Sequence, residues 1–363
     1  MRKTLFLHIG HFKTGTTAIQ VFCERNRAAL ALRGLNYAEF KLWHSKHSCF
    51  AFSIYRAVGV KTLLHGFAQD TPPEEFWETL FKEVRESRQP ATLISSEEFI
   101  RMGAFPEAVA RLRRILARAP DIDVRVIVYL REPADHLRSW FNQLVKMGQK
   151  VPDYNRAVQD AMEVVHVDYA SALAPWIDLV GKDRVRVRPY IPPADDGRPL
   201  IVDFLRAVGL RSPWLGLRFP AKDPNPRLDA RAEELRRVMQ NAGIPRDPIR
   251  NTLARAKAHF ARELADRPEP DMRRAADRIR QGLERLEAEQ LPDCGIDFDR
   301  FRTHLLEPEA PEAAERELLL GFLLQELHFL RDMHGKQIRE LERRLKKLEQ
   351  PLEAAQGSET DGA

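Results

Sequence analysis

A short run between residues 10 and 17 concentrates side chains that bind anions. It reads Gly-His-Phe-Lys-Thr-Gly-Thr-Thr, so Lys13 and Gly15 lie among the hydroxyls of Thr14, Thr16 and Thr17. A glycine-containing turn before a helix directs several backbone N–H groups at one point, and the helix dipole adds positive potential there. The run therefore predicts a cradle for phosphate or sulfate rather than an ordinary turn with a solvated lysine.

The order of residues in this run differs from that of the nucleotide triphosphatase loop. That loop carries its lysine directly after its second glycine, whereas Lys13 precedes Gly15 by two residues and no lysine follows. The anion cradle remains, but a lysine aimed at a γ-phosphate does not. This order disfavours an ATPase or a kinase.

A second segment has an arginine directly after the most apolar strand of the sequence. Arg131 follows the stretch 124–130, and Ser139 comes eight residues later on a predicted helix. Open α/β sheets bind ligands at the carboxyl ends of their strands, and a guanidinium grips a phosphate with two N–H groups. The alternative is that Arg131 pairs with a nearby acid, Glu132 or Asp135, while Ser139 is solvated.

Together the two segments resemble those of the sulfotransferase family, in its bacterial carbohydrate-type branch. His8–Thr17 is similar to the family's loop for the 5′-phosphosulfate of 3′-phosphoadenosine 5′-phosphosulfate, and Tyr129–Phe141 is similar to its 3′-phosphate site. The resemblance covers roughly the first 210 residues. It implies that this nucleotide is the co-substrate and that Arg131 and Ser139 hold its 3′-phosphate.

The resemblance also implies a general base, a histidine or a glutamate, for an acceptor hydroxyl. Glu97 is the first choice, ahead of its neighbour Glu98, because it follows a predicted strand at the ligand edge of the sheet. Its alternative role is that of a helix-capping acid, since Ser95 or Ser96 followed by acids is a normal helix start. His44 and His47 are the rival bases, since histidine titrates near neutrality. No cluster of histidine, cysteine and acidic residues has metal-ligand spacing, so no metal is predicted.

Alternating elements are expected to position these residues. Strands are predicted at 4–10, 35–39, 91–95, 124–130 and 185–190, and helices at 16–32, 74–88, 106–119, 138–147 and 199–208. This alternation predicts an α/β fold: a parallel sheet with helices on both faces, similar to the P-loop NTPases.

The C-terminal part of the chain differs in composition and is predicted to be a helical extension. Its apolar residues 338, 341, 345, 348 and 352 follow a 3-4 spacing over about two heptads, which indicates a short coiled-coil-like tail on a long helix. A homo-oligomer through this helix and simple packing on its own domain are equal alternatives. The predicted parts are an α/β domain (1–220), an Arg/Ala/Glu-rich helical region (221–310), the long helix (311–352) and a disordered tail (353–363).

Composition limits the possible partners. The chain has 363 residues, and its 58 basic against 53 acidic residues give a net charge of +5, too small an excess to imply a nucleic-acid binder. Three widely spaced cysteines give no disulfide framework.

The apolar N-terminal run is too short for a signal peptide, and no stretch reaches the roughly 18 apolar residues of a membrane span. We expect a soluble, cytoplasmic protein.

The functional prediction is an enzyme that transfers a sulfuryl group to a hydroxyl of a carbohydrate, a lipid or another small acceptor. The first alternative is a P-loop kinase for a small molecule, which would need an aspartate on a core strand for magnesium. The strongest later strand ends instead in Tyr-Leu-Arg. The second alternative is a non-catalytic assembly protein that uses the long C-terminal helix.

Overall fold

A parallel sheet forms the centre of the protein. The computed structural model describes residues 2–40, 42, 44–61, 63, 71–151, 154–192, 198–219, 230–250, 252, 273–303, 324 and 327–345. The strands within these residues are β1 (Lys3–His8), β2 (Leu35–Tyr37), β3 (Ala91–Ser95), β4 (Ile122–Leu130) and β5 (Val185–Pro189). They pair in the order β2-β3-β1-β4-β5, and every neighbouring pair is parallel.

Helices connect the strands and continue beyond the sheet. The α-helices are α1 (Thr16–Arg25), α2 (Arg27–Ala31), α3 (Ser48–Ala57), α4 (Pro73–Glu86), α5 (Pro106–Leu116), α6 (Pro133–Lys146), α7 (Tyr154–Arg156), α8 (Val164–Val167), α9 (Tyr169–Val180), α10 (Arg198–Ala207), α11 (Ala230–Asn241), α12 (Arg273–Ala288) and α13 (Phe298–Thr303). Shorter elements are the 3₁₀ helices Glu97–Ala104 and Lys182–Arg184 and a π-helical turn at Ala157–Ala161. Residues 327–345 are also helical.

Both faces of the sheet are covered by helices. One face shares a buried apolar core with α1, α2 and α10, in which Phe22 and Phe204 contribute to the same cluster as Tyr129 of β4. On the other face α4 contacts β1, while α9 contacts β4 and β5. The chain moves towards one side of the sheet between β1 and β2 and towards the other side in every later connection. Because such connections are right-handed, the two directions place helices on opposite faces of the sheet. The predicted α/β class is confirmed.

The strand register brings the ends of three strands to one edge. His8, the last residue of β1, pairs with Ser95, the last residue of β3, and with Ile127 of β4. Because the strands are parallel, the segments that follow them emerge on the same side of the sheet. The loop at 10–17, Glu97 and Arg131 therefore share one edge.

Two helices differ from their predicted bounds: one is interrupted and the other begins earlier. The predicted helix over 16–32 is interrupted at Asn26, whose side-chain amide donates to the carbonyl of Phe22 at 2.9 Å and to that of Arg218 at 3.0 Å. Helix α6 begins five residues before its predicted start at 138. Glu132 accounts for this, because its carboxylate accepts hydrogen bonds from the N–H groups of Ala134 and Asp135 at 3.2 Å each.

The chain divides into two compact units. The first draws on residues 1–143, 154–227 and 269–308 and contains the sheet; the second draws on 144–153, 228–268 and 309–363. Helix α12 belongs to the first unit, where it packs on α8 and α9. The domain boundaries at 220 and 310 stay predictions.

The second unit has a small apolar core and an exposed helix. Met239, Ile244 and Ile249 pack together. In the helix over 327–345, Ile338, Leu341 and Leu345, all positions of the predicted coiled-coil spacing, are exposed. The rest of that spacing, at 348 and 352, and the tail at 353–363 lie outside the described residues. Within the part of the chain that the structure describes, no helix is both long enough and apolar enough to cross a bilayer.

Candidate functional site

The loop between β1 and α1 adopts a backbone that most residues avoid. Gly10, Lys13 and Gly15 have φ angles of +101°, +62° and +75°. A side chain at Gly15 would collide with Leu200 and reach within 3.0 Å of the Tyr190 ring, so only glycine fits there. Gly15 is also the N-cap of α1 and supplies no side-chain cap. The first N–H groups of α1, which lack partners within the helix, are therefore available to an anion.

The threonines of the loop differ in accessibility. The Thr14 hydroxyl is buried and donates to the carbonyl of His11 at 2.6 Å, so it stabilises the loop from inside. Thr16 is buried at the start of α1, and Thr17 is exposed. The Thr14 hydroxyl thus has an internal partner, and Gly15, Thr16 and Thr17 form the N-terminus of α1.

Lys13 and Arg131 reach the same ridge of α6. Arg131 Nη2 donates to Asp135 Oδ2 at 2.9 Å, and Lys13 Nζ donates to Gln143 Oε1 at 3.4 Å. Asp135, Ser139 and Gln143 follow one another at four-residue spacing, so they lie along one ridge over about 12 Å of the helix axis. The half-buried Ser139 is midway between the residues that the two cations contact. Two distant parts of the sequence thus meet around one helix.

The guanidinium of Arg131 is held from several sides but is not fully satisfied. Its side chain is only 6% exposed, and its centre lies 5.7 Å from the ring centroid of Tyr190. The Tyr169 hydroxyl donates to the main-chain carbonyl of Arg131 at 2.8 Å. Its Nε is buried and has no hydrogen-bond partner among the described residues. The ion pair with Asp135, the alternative that the sequence allowed, is present, and it leaves the Nε N–H of Arg131 without a partner among the described residues.

Glu97 lies directly against the loop. A Cβ atom at Gly10 would be 3.1 Å from the Glu97 Cα atom, so the two main chains approach as closely as a glycine permits. Gln20 Nε2 donates to Glu97 Oε2 at 2.9 Å, and Lys46 Nζ donates to Glu97 Oε1 at 3.1 Å. Neither Gln20 nor Lys46 had a signal in the sequence that linked it to Glu97.

Lys46 joins two carboxylates in this part of the site. It also donates to Glu98 Oε1 at 2.8 Å, and Glu98 accepts from the hydroxyls of Ser48 and Ser96 at 2.8 and 2.5 Å. Burial alone would lower the pKa of Lys46, but the charges of Glu97 and Glu98 outweigh it and raise that pKa above its usual value. Lys46 is therefore a fixed cation that orients Glu97.

The two candidate histidines at 44 and 47 lie in different environments. His44 is exposed. His47 is fully buried; its Nε2 bonds to the Ala38 carbonyl at 2.9 Å and its Nδ1 accepts the Ser95 N–H at 3.1 Å. Both ring nitrogens are thus occupied by the backbone, and burial lowers the pKa of His47 to about 4. His47 links the ends of β2 and β3 and leaves no nitrogen for an acceptor hydroxyl.

The burial of His8 and His47 predicts that the folded state loses stability in acid. Burial lowers the pKa of His8 to about 3 and that of His47 to about 4, against 6.5 for the unfolded chain. The unfolded state therefore binds protons first, so the stability these two groups provide is complete above pH 6.5 and is lost as the pH falls towards 4. The expected loss is about 1.4 kcal/mol per histidine and pH unit. Urea unfolding at several pH values measures it.

A variant separates this effect from general acid denaturation. His47→Asn should make the fall in unfolding free energy below pH 6.5 shallower by about 1.4 kcal/mol per pH unit. The exposed His334, changed to Asn, should leave the slope unaltered. Equal slopes for the wild type and the His47→Asn protein would contradict the prediction.

A second set of histidines meets below the loop, where the sequence predicted no ligand cluster. His11, His136 and His166 come from three segments, and one nitrogen of each lies within 4.8 Å of the others. Burial lowers the pKa of His11 to about 4 and those of His136 and His166 well below 6.5. Beyond burial, the charges of His11 and His166, and then those of Arg131 and Lys13, lower the pKa of His136 further.

Comparison with known proteins adds little to this geometry. No protein-family model matches the chain, and no curated protein matches it. Among solved structures it is similar to a sulfotransferase from Alicyclobacillus acidocaldarius, with 15% sequence identity and a TM-score of 0.39, over 68% of this chain and 98% of that one. Likeness at this level carries no functional argument, so function has to be argued from the residues.

Proposed function

We propose that the protein is a sulfotransferase that moves a sulfuryl group from 3′-phosphoadenosine 5′-phosphosulfate to a hydroxyl of a carbohydrate or another small acceptor. The observation that carries the proposal is the pair of cations, Lys13 and Arg131, at the two ends of one ridge of α6. Such a pair suits a ligand with two separate anionic groups. A nucleoside bisphosphate is a ligand of this kind.

The residues of the site divide between the two ends of the nucleotide. Lys13 and the N-terminus of α1 would bind the 5′-phosphosulfate. Arg131 and Ser139 would bind the 3′-phosphate; the buried Nε of Arg131, which has no partner among the described residues, could donate to it after a small movement of the side chain. The nucleotide would supply the sulfuryl group.

The chain would contribute electrostatic stabilisation and a general base to the reaction. Sulfuryl transfer resembles phosphoryl transfer in having a loose transition state with negative charge on the leaving oxygen. Lys13 would stabilise that charge from a fixed position. Glu97 would accept the proton of the acceptor hydroxyl, while Gln20 and Lys46 each hold one of its oxygens.

Binding of adenosine 3′,5′-bisphosphate tests the donor site directly. Wild-type protein should show a higher melting temperature with this nucleotide, because a ligand that binds only the folded state stabilises it. Arg131→Ala should weaken binding about 10- to 100-fold, since it removes charge-assisted hydrogen bonds. Calorimetric titration gives the affinities.

Two controls accompany this experiment. Arg114→Ala removes an exposed arginine on α5 and should bind as wild type does. ATP with magnesium should stabilise the protein much less than the bisphosphate. Preference for ATP would instead support the P-loop kinase and would remove the proposed donor.

Asp135 offers a prediction with the opposite sign. Its half-exposed carboxylate occupies one N–H of Arg131 and would repel a phosphate there. Asp135→Asn should therefore bind adenosine 3′,5′-bisphosphate about 2- to 5-fold more tightly. Asp183→Asn, which removes the same charge from an exposed position, should change nothing. Weaker binding by Asp135→Asn would mean that Asp135 orients Arg131 rather than competing for it.

A further inference from the structure

The three histidines below the loop have no part in the proposed reaction. His11 belongs to the loop itself, His136 to α6 and His166 to α8, and each side chain is at most 1% exposed. The His11 and His136 rings meet edge to face with centroids 4.4 Å apart, and Trp140 stacks on His166 at 4.2 Å. Imidazole nitrogens thus converge in a closed, largely aromatic environment.

The hydrogen bonds of this cluster are incomplete in every neutral tautomer. His136 Nε2 and His166 Nδ1 are 3.0 Å apart, so one of them donates and the other accepts. The remaining nitrogens, His136 Nδ1 and His166 Nε2, are buried without a partner among the described residues. Whichever ring donates, one buried N–H and one buried lone pair stay unsatisfied. A cation that replaced the shared hydrogen bond would take up both lone pairs, and each ring would then carry its N–H on the outer nitrogen.

We infer that His11, His136 and His166 form a binding site for a divalent transition-metal ion of the zinc type. Neutral imidazole is the form of histidine that ligates, and buried rings are neutral at pH 7. Nitrogen donors suit zinc, copper, nickel or iron, whereas magnesium and calcium prefer oxygen. No local spacing marks the three residues in the sequence, because they come from segments 30 to 155 positions apart.

The distances fit this assignment after a small contraction. With metal–nitrogen bonds of about 2.1 Å, two ligand nitrogens lie about 3.0 to 3.4 Å apart. The His136–His166 pair already has this separation. His11 has to move closer and ligate through Nδ1, which exchanges the hydrogen bond from Phe12 N–H for a bond to the metal, while its Nε2–H keeps donating to the Val165 carbonyl. No proton is released, because each neutral ring carries its one N–H on the nitrogen that does not ligate, and only the ring that donates in the His136–His166 hydrogen bond has to change tautomer.

The nearby charges determine when the ion binds most tightly. Lys13 and Arg131 act on His136 and oppose a second positive charge beside it. An anion that neutralises these two cations should therefore strengthen metal binding. The ion would join the anion loop, α6 and α8, so it would fix the segments that carry the donor site.

Metal content and thermal stability test the site without any assay of transfer. Full-length protein, purified without metal-affinity chromatography and treated with a chelator, is titrated with Zn²⁺ and Co²⁺ in the absence and presence of inorganic sulfate. We expect one ion per chain, a melting temperature raised by several degrees, and tighter binding with sulfate. The visible spectrum of the Co²⁺ protein should be that of nitrogen ligands in a low-symmetry site.

Variants locate the ion. His136→Asn and His166→Gln should each retain less than a tenth of an ion per chain, whereas His334→Gln, on the exposed helix over 327–345, should bind as wild type does. Unchanged stoichiometry in the first two variants would put the ion elsewhere and overturn the inference. If those variants fail to fold, the wild-type titration decides: no stoichiometric ion, with or without sulfate, overturns it.

Discussion

Replacing Lys13 with alanine should lower the rate of sulfuryl transfer about 100- to 1,000-fold while the protein remains folded. The lysine is the one full charge of the loop, and removing a single preorganised donor for a developing negative charge has effects of this size. The acceptor would first be found by screening sugars, lipids and phenols with labelled nucleotide. Single-turnover transfer to that acceptor then measures the effect.

The backbone at Lys13 provides a second substitution for comparison. Its φ of +62° suits glycine better than alanine. Lys13→Gly should therefore be at least as stable as Lys13→Ala and equally slow in transfer. Lys82→Ala, on the exposed surface of α4, is the matched control and should keep the full rate. A Lys13 variant that transfers at the wild-type rate would remove the proposed mechanism.

Glu97→Gln should lower the rate by about 100- to 10,000-fold, the range expected when a general base is lost. Glutamine has nearly the same shape, and Lys46 retains its contact with Glu98 at 2.8 Å, so the fold should persist. Binding of adenosine 3′,5′-bisphosphate should be unchanged, because Glu97 is assigned to the acceptor side. Transfer rates and nucleotide affinities, measured on the same preparation, separate the two effects.

The rival bases are controls for this experiment. Glu98→Gln also removes a charge beside Lys46, but from a carboxylate that is 2% exposed and bonded to Ser48 and Ser96. Glu98→Gln should therefore have a lower free energy of unfolding than the wild type but keep most of the rate of sulfuryl transfer. His44→Ala should change the rate by no more than a few fold. A larger loss in His44→Ala than in Glu97→Gln would transfer the base role to the histidine.

The central strands were predictable because they are short apolar runs that end at turn residues or charges, whereas β5 alternates valine with arginine. The strand at 91–95 is predicted and observed with the same bounds, and β4 begins only two residues before its predicted start. Helix α3 escaped prediction because nearly all its side chains are buried, from Cys49 to Tyr55, so it shows no polar face. Periodicity detects elements that are half buried, not those buried all round.

The two anion-binding segments were predictable for a different reason. Lys13 and Arg131 each follow a strand, and parallel topology brings such positions to one edge. The partners of Glu97 were not predictable, because Gln20 and Lys46 reach it across the sheet edge from other segments. The histidine cluster was missed in the same way: its members share no local spacing, and only packing of the loop on α6 and α8 brings them together.

The ridge of α6 sets the distance between the residues that the two cations contact. Asp135, Ser139 and Gln143 keep their spacing because the helical repeat, not any side chain, fixes it. One residue inserted between Ser139 and Gln143 would rotate the rest of α6 by about 100° about the helix axis and carry Gln143 away from Lys13. This stretch of the chain should therefore accept many changes of residue type but no change of length.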